Sequence, residues 1–363
     1  MIGLALSGGG SRAIAFHLGC LRALRERDIL SKISVLSTVS GGSVIGGMYA
    51  YSDASFGEFD RKVVKLLSRG LERKIVIKLL SPVLLARVVA TNLISSPIAV
   101  AASLLGCNPP FRRWASRTDA LEEALGEVLG DVQINEIKRP GLDVVINACE
   151  LRTGTAFRFS NQRSGTWRYG EIHDTRISVA HAVASSAAYP IFLPAFDRTY
   201  TFVKDGKVQR QRVILTDGGV YDNLAISCLE PGRDRRFSLF TYSLDYIICC
   251  DASGGQFSGE RIPYCFVSRT EAAFESIFRK AQDAALSRLH SYKQAGQIKG
   301  FALPYLGQMD SALPFPLSDL VPREAVYEYP TNFAAMDEKD IERLALRGKQ
   351  LTGMLLKVYT PEL

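Results

Sequence analysis

Residues 2–12, IGLALSGGGSR, contain a short apolar run that is followed at once by three glycines. The run is typical of a β-strand, and apolar residues recur at helical spacing over residues 12–27. Residues 33–36 predict a second strand, and the small residues of 43–51 predict a second helix. This repeated order of strand, loop and helix predicts an α/β fold with a mostly parallel central sheet and covering helices.

The glycine loop between the first strand and its helix suits a negatively charged group. Glycines let the backbone turn sharply and expose its N–H groups, and the positive end of the following helix points at the same place. Such a loop binds a phosphate or a developing oxyanion. The candidate oxyanion-hole residues are Gly8, Gly9, Gly10 and Ser11.

Two other interpretations of the glycine loop stay open. Gly8, Gly10 and Ala13 satisfy the G-x-G-x-x-A pattern of dinucleotide-binding folds. That pattern requires an acidic residue near the end of the second strand, and residues 36–38 contain none. The glycines could also form a purely structural turn.

Ser40 lies in a second turn between a strand and a helix, with Gly41 and Gly42 after it. Small residues around a serine permit the sharp turn that brings its hydroxyl into a cleft, which predicts a nucleophile. The usual G-x-S-x-G pattern has glycine two residues before the serine, where this chain has Thr38. The alternative is that Ser40 only caps the helix.

A serine nucleophile needs a base, and Asp217 is the candidate. It directly follows an apolar strand and precedes Gly218 and Gly219, which is how an acid is presented at the rim of a sheet. An ordinary Asp-Gly turn has the same sequence.

Two other residues compete for the role of base. Asp251 also ends a strand, over residues 246–250. His290 would complete the chain order of an α/β-hydrolase triad, but such hydrolases build several strands before the nucleophile, and only two precede Ser40 here.

Four segments in the same order resemble the motifs of patatin-like phospholipases. They are GGGSR at 8–12, VSGG at 39–42, ASSAAYP at 184–190 and DGG at 217–219. The resemblance covers roughly residues 1–55 and 140–250. It implies a three-layer α/β/α fold, a Ser40–Asp217 dyad without histidine, and a loop-supporting role for Arg12.

The resemblance also implies the activity: a serine lipid acyl hydrolase of the phospholipase A or lysophospholipase type, which requires no cofactor or metal. The activity could be that of an effector switched on by a regulatory protein or small molecule. The alternative from another class is a catalytically silent lipid- or nucleotide-binding module on the same scaffold.

We expect one catalytic domain over residues 1–363, with a helical insertion at 56–130. Eight basic residues and one acid lie between Arg61 and Arg87, which equals the net charge of the whole chain, +7. Their neighbours are aliphatic rather than aromatic, which favours an anionic membrane surface over nucleic acid. Lys62, Lys65, Arg69 and Arg73 would share one helical face.

Residues 88–111 contain no charged side chain, but polar residues and Pro97 interrupt them. They are long enough to span a membrane and too polar to do so comfortably, so we expect a lid or membrane-docking element. A transmembrane helix and a plain packed insertion are the alternatives.

The seven cysteines include no C-x-x-C pair, and no two of the four histidines stand at ligand spacing. These residues predict buried thiols and no metal site. No basic region precedes the first apolar run, so we expect no signal peptide and a cytoplasmic protein at the inner face of the membrane.

Overall fold

The computed structural model describes residues 1–173, 176–190, 192–255, 259 and 262–363. Within them lies one mixed sheet, built of β1 (Ile2–Leu6), β2 (Ile33–Val39), β3 (Asp143–Glu150), β4 (Thr155–Ser160), β5 (Gly165–Thr166), β6 (Gly170–Ile172), β7 (Phe196–Lys204), β8 (Lys207–Asp217), β9 (Tyr246–Cys250) and β10 (Gly300–Ala302). Their order in the sheet is β10-β9-β1-β2-β3-β4-β5-β6-β7-β8.

Helices cover both faces of this sheet. They are α1 (Gly10–Glu26), α2 (Gly41–Ala50), α3 (Phe56–Arg69), α4 (Glu72–Leu79), α5 (Pro82–Ala90), α6 (Ser96–Leu104), α7 (Arg117–Leu129), α8 (Val179–Ser186), α9 (Gly219–Asp222), α10 (Phe266–Gln294) and α11 (Glu338–Tyr359). Short 3-10 helices occur at Leu30–Lys32, Asp310–Ala312 and Arg323–Ala325.

Alternation along the strands divides the apolar core into two layers. In β9, Ile248 and Cys250 belong to the core that contains α1, α2, α8 and α11. Ile247 and Cys249 belong to the opposite core, which contains Leu289 of α10. Because successive strand residues point to opposite faces, a strand buried on both sides must lie between two helical layers. The predicted three-layer α/β/α fold is confirmed.

The sheet is parallel over only half of its width. The neighbours β10, β9, β1, β2 and β3 are parallel, whereas the pairings from β3 through β8 are antiparallel. Short turns join β3 to β4, β4 to β5, β5 to β6 and β7 to β8, and a short turn can join only antiparallel strands. Asp205 and Gly206 form the hairpin turn between β7 and β8: Lys204 pairs with Lys207, and both turn residues have positive φ.

Helices α1 and α11 pack closely, although they are far apart in the chain. A Cβ atom on Gly19 would lie 1.7 Å from the carbonyl oxygen of Ala345, and one on Gly348 would lie 2.2 Å from that of Phe16. Only glycine permits the two backbones to approach in this way. Helix α11 therefore covers the helix that follows the glycine loop.

Residues 56–130 contain the five helices α3 to α7 and no strand. Helix α3 begins at a capping box formed by Ser55 and Glu58 and ends at Gly70, whose φ is +66°. The break at Gly70 corrects one sequence-based expectation: Arg73 belongs to α4 and does not continue the helical face of Lys62, Lys65 and Arg69.

Candidate active site

The register of β3 brings the ends of two distant strands together. Strand β2 runs along one edge of β3 and ends at Val39, which pairs with Asn147. Strand β8 approaches along β3 from the opposite direction, and its last residue, Asp217, pairs with Ala148. Asn147 and Ala148 are consecutive, so Asp217 meets the end of β2, where Ser40 follows.

Ser40 forms a sharp turn between β2 and α2. Its φ of 51° and ψ of −120° lie in a region that side chains other than glycine rarely adopt. The close packing behind it explains Gly41, where a Cβ atom would lie 2.3 Å from the carbonyl oxygen of Gly10. A Cβ atom on Gly42 would likewise lie 2.3 Å from the carbonyl oxygen of Leu6. The turn thus presses Ser40 against the glycine loop, and such local strain is characteristic of functional turns.

The carboxyl group of Asp217 is buried, and burial raises its pKa to about 7. Hydrogen bonds from the Gly219 N–H and the Ser40 hydroxyl lower the pKa and offset part of this effect. The Gly219 bond, to Asp217 Oδ1, is 2.7 Å long. Near neutral pH the carboxylate is therefore a proton acceptor beside a serine hydroxyl, in a site with little water: Ser40 is 8% exposed.

Ser186 connects the nucleophile turn to the aspartate. Its hydroxyl accepts a hydrogen bond from the Ser40 N–H (3.0 Å) and donates one to the carbonyl of Asn147 (2.6 Å). Its own carbonyl accepts from the N–H of Gly218, and the carbonyl of Ala188 accepts from that of Asp217. The segment at 184–190 was expected from sequence as a motif, but nothing in the sequence indicated that Ser186 bonds both Ser40 and the residue after Asp217.

We expect Ser186→Ala to lower kcat about 10- to 100-fold with little change in KM. The lost bond leaves the Ser40 N–H unpaired, at a cost of about 1–3 kcal/mol, and loosens the nucleophile turn. Steady-state kinetics on a soluble ester measures this. Ser185→Ala is the matched control, because the Ser185 hydroxyl is buried without a partner among the described residues. Equal losses in both variants would assign Ser186 a purely structural role, whereas Ser186→Thr should restore activity.

The structure separates the four candidate oxyanion donors into two pairs. The N–H of Gly8 donates to the carbonyl of Asn223 (3.0 Å), and that of Ser11 donates to the carbonyl of Asn332 (2.7 Å). These two groups are occupied, which corrects their assignment as donors to substrate. Gly9 and Gly10 begin α1, where the first N–H groups have no partner within the helix. Within the described chain they remain the available donors of the loop.

The sequence suggested that Arg12 supports the glycine loop. No described hydrogen bond joins its side chain to that loop. Its guanidinium donates to the carbonyl of Tyr329 (2.9 Å), and burial lowers its pKa to about 10. Tyr329 begins a segment at 329–336 that we call the strap. The strap also accepts the Ser11 N–H, and its Phe333 carbonyl accepts from the N–H groups of Leu71 and Glu72. Arg12 thus attaches the strap, and the strap contacts the glycine loop.

Asp251 and His290 have other contacts. The Asp251 carboxylate accepts from the N–H and hydroxyl of Ser253 (both 2.9 Å) and so closes its own loop. The His290 ring packs on Phe301, which pairs with Ile247 near the start of β9. Asp217 and Ser40 lie at strand ends, so His290 lies toward the opposite end of the sheet.

Three potential metal ligands lie together beneath the glycine loop. Donor atoms of His17, Cys20 and Cys250 are all within 4.8 Å of one another, and all three residues are buried. One ring nitrogen of His17 is 3.0 Å from the carbonyl oxygen of Ser7. The sequence did not indicate this cluster, because Cys250 ends β9 and is far along the chain from His17 and Cys20. No described hydrogen bond joins any of these three residues to Ser40 or Asp217.

Aromatic side chains flank the aspartate. Tyr189 follows Ala188, whose carbonyl accepts the Asp217 N–H, and its ring lies 6.0 Å from that of Phe192 and 6.3 Å from that of Phe274. Phe192 is 62% exposed. These rings form an apolar border on one side of the polar site. Tyr189 belongs to the motif at 184–190, whereas Phe192 and Phe274 were not recognised from sequence as part of the site.

A strained serine, a buried carboxylate and a glycine loop at the ends of sheet strands define a hydrolase-like α/β site. The model of the patatin-like phospholipase family matches residues 4–228, which include all of these elements. The chain belongs to the patatin-like phospholipase family.

Similar proteins agree with this assignment. The lysophospholipase NTE1 of Mycosarcoma maydis is 47% identical over 60 residues, and the patatin-like phospholipase domain-containing protein ZK370.4 of Caenorhabditis elegans is 53% identical over 49 residues. These matches cover 16% and 14% of this chain and 3% of each relative. Human GIVD cytosolic phospholipase A2 shares the fold, with a TM-score of 0.57 and 13% identity over 98% of this chain and 59% of that one.

Proposed function

We propose that this protein hydrolyses acyl esters of membrane lipids, with Ser40 as nucleophile and Asp217 as general base. The observation that carries the proposal is the position of Asp217: its buried carboxyl group, whose pKa is about 7, lies at the strand end that meets the Ser40 turn. A base is most effective when its pKa lies near the working pH. The lysophospholipase names of two relatives support an ester of a lipid as the substrate class.

In the first step Asp217 accepts the Ser40 proton while the serine oxygen attacks the ester carbonyl. The tetrahedral oxyanion receives hydrogen bonds from the N–H groups of Gly9 and Gly10, aided by the positive end of α1. Collapse of the intermediate releases the alcohol, which takes the proton back from Asp217, and leaves an acyl group on Ser40. Asp217 then activates a water molecule that releases the fatty acid.

The surroundings of the dyad suit an acyl chain next to a polar ester. The aromatic border at Tyr189, Phe192 and Phe274 offers apolar surface beside Asp217.

We further propose that the protein acts peripherally on anionic membranes. Lys62, Lys65 and Arg69 are exposed along α3, and such side chains favour an acidic lipid surface by about 1 kcal/mol each.

The pH dependence of a serine-directed reaction tests the proposed function. A fluorophosphonate should label the wild-type protein, and mass spectrometry should locate the label on Ser40. The labelling rate and the release of fatty acid from a lysophospholipid should both rise with pH and level off above about pH 7. The sign follows from the role of Asp217, since only its ionised form accepts the serine proton.

Three results would contradict this proposal in whole or in part. Labelling at another residue would move the nucleophile away from Ser40. Lipid binding without labelling and without fatty acid release would identify a silent binding module. A rate that does not change between pH 5 and pH 9 would remove Asp217 as the base while leaving the nucleophile in place.

A further inference from the structure

Helices α5 and α6 are joined by a π-helical segment, Thr91–Ser95, into one helix of 23 residues, Pro82–Leu104, which we call the apolar helix. Its most apolar 18 residues are only 17% buried. Leu93 and Leu104 are 73% and 83% exposed. Other large apolar side chains exposed on it or directly after it are Val83, Leu85, Val89, Ile94, Ile98, Val100 and Leu105. An apolar surface of this extent in water indicates a binding partner.

A narrow stripe of polar residues, together with the buried Leu84, attaches the apolar helix to the rest of the protein. Arg87 donates to the carbonyl of Trp114 (2.9 Å), and Ser95 donates to that of Arg112 (3.2 Å). Between them, the hydroxyl of Thr91 accepts the N–H of Ala115 (3.2 Å). Positions 87, 91 and 95 recur every four residues, so they share one face of a helix. The helix therefore lies along the segment at 112–115: Leu84 and Val88 pack toward Ala115, and its other large apolar side chains are exposed.

Both ends of the apolar helix are anchored to the same body. Before it, Lys74 and Lys78 of α4 form ion pairs with Glu127 of α7. After it, Arg212 of β8 donates to the carbonyls of Pro109 and Phe111. A helix of 23 residues is about 34 Å long, which is enough to cross a bilayer. Crossing would carry one end to the far side and break the stripe or one of these anchors.

The charge around the apolar helix selects its partner. Residues 73–118 contain seven basic residues and no acid, and the apolar helix itself carries only Arg87. Arg112 and Arg113, which follow it, are exposed. Trp114, at the stripe, is partly buried. Basic and aromatic residues at the margin of an exposed apolar helix suit the headgroup region of an anionic bilayer.

We infer that the apolar helix lies flat in the surface of an anionic phospholipid bilayer, with its exposed leucines among the upper acyl chains. It is a monotopic insertion element and not a transmembrane span. The inference adds the membrane contact to the proposed function and rests on it only in taking lipid as the substrate. Burial of the apolar faces supplies the attraction that exposed basic residues alone would lose at high salt.

Vesicle binding tests the insertion. The wild-type protein should co-sediment with vesicles of 70% phosphatidylcholine and 30% phosphatidylglycerol, and part of the binding should persist in 0.5 M salt. Leu93→Glu combined with Leu104→Glu should weaken binding at least about 100-fold, since two exposed leucines no longer enter the acyl region. Val358→Glu is the matched control, because Val358 is an exposed apolar residue (41%) on α11, outside the apolar helix. It should bind as the wild type does.

Depth measurements separate a flat helix from a spanning one. Tryptophan is placed at Val83, Leu93 or Leu104 in a Trp114→Phe, Trp167→Phe background, and nitroxide lipids report its depth by quenching. A flat helix gives the same shallow depth at all three positions. A spanning helix gives the greatest depth at Leu93, and this result would overturn the inference.

Unchanged vesicle binding in the double glutamate variant would overturn the insertion, as would a wild-type dimer that the same substitutions convert to a monomer. Turnover of a soluble ester, measured in parallel, shows whether each variant is folded. A wild-type protein that hydrolyses lysophospholipid in micelles but does not bind vesicles would refute insertion and leave the proposed function intact. A protein that binds vesicles but is not labelled at Ser40 would do the reverse.

Discussion

Ser40→Ala and Asp217→Asn are each expected to lower kcat for ester hydrolysis at least about 10⁴-fold. Without the serine oxygen no acyl-enzyme forms, and without the carboxylate the hydroxyl keeps its proton. Because the two groups act as one unit, the double variant should be no worse than the weaker single variant. Fatty acid release from a lysophospholipid, with a soluble ester as second substrate, measures all three.

The controls for the dyad use residues with a defined alternative role. His290→Ala should keep the wild-type rate, because that ring packs on Phe301. A loss comparable to that of Ser40→Ala would restore the histidine triad, and retained activity in Asp217→Asn would exclude the dyad.

The pKa of Asp217 also predicts the stability of the asparagine variant. The folded wild-type protein holds this proton up to about pH 7, whereas an unfolded aspartate loses it near its ordinary pKa of 3.8. The contribution of this group to the free energy of unfolding therefore falls as pH rises from about 4 to 7. Asp217→Asn avoids that loss, so at pH 8 its melting temperature should be at least that of the wild type.

Gly9→Ala is expected to lower kcat about 100- to 1000-fold while leaving KM nearly unchanged. Gly9 has a φ of +137°, which an alanine can hardly adopt, so the loop must turn its N–H groups away from the oxyanion. Loss of one such donor typically costs this much in rate. Gly126→Ala is the matched control, since a Cβ there meets no atom within 4 Å.

Gly10→Ala tests a different contact. A Cβ atom on Gly10 would lie 2.5 Å from the Asn332 carbonyl oxygen, so this variant must also displace the strap. A Gly9→Ala variant with normal kcat would show that the glycine loop is structural. The same result in Gly10→Ala alone would show only that the strap can move.

The sequence predicted those helices and strands that are determined by local patterns of apolar residues and glycines. Strand β9 has the expected bounds, and α1 begins two residues before the expected Arg12. Only the apolar run directly before Asp217 was expected as a strand, but β8 extends over Lys207–Asp217, because its outer half is polar and its strand character comes from pairing with β7. Local patterns do not record such pairing, which also explains why the antiparallel half of the sheet was not foreseen.

For the candidate site, motifs indicated residues but not their partners. Asn223 and Ser186 contact the glycine loop and the nucleophile turn through long-range packing, and neither residue type is unusual at its position. The strap could not be foreseen either, since it contributes mainly backbone carbonyls, which every sequence supplies. Register made the difference: a shift of one residue between β3 and β8 would turn Asp217 to the other face.

The packing of α11 on α1 can form only late in synthesis, because the two helices are more than 300 residues apart in the chain. A ribosome that has synthesised residues 4–228 has produced Ser40, Asp217 and the glycine loop. It has not yet produced β9, which pairs with β1, or α11, which covers α1. Until residues 338–359 emerge, the helix behind the proposed oxyanion donors lacks its cover. A nascent chain of this length therefore carries Ser40 and Asp217 beside a glycine-loop helix that is still uncovered, and we expect hydrolysis only after α11 has packed.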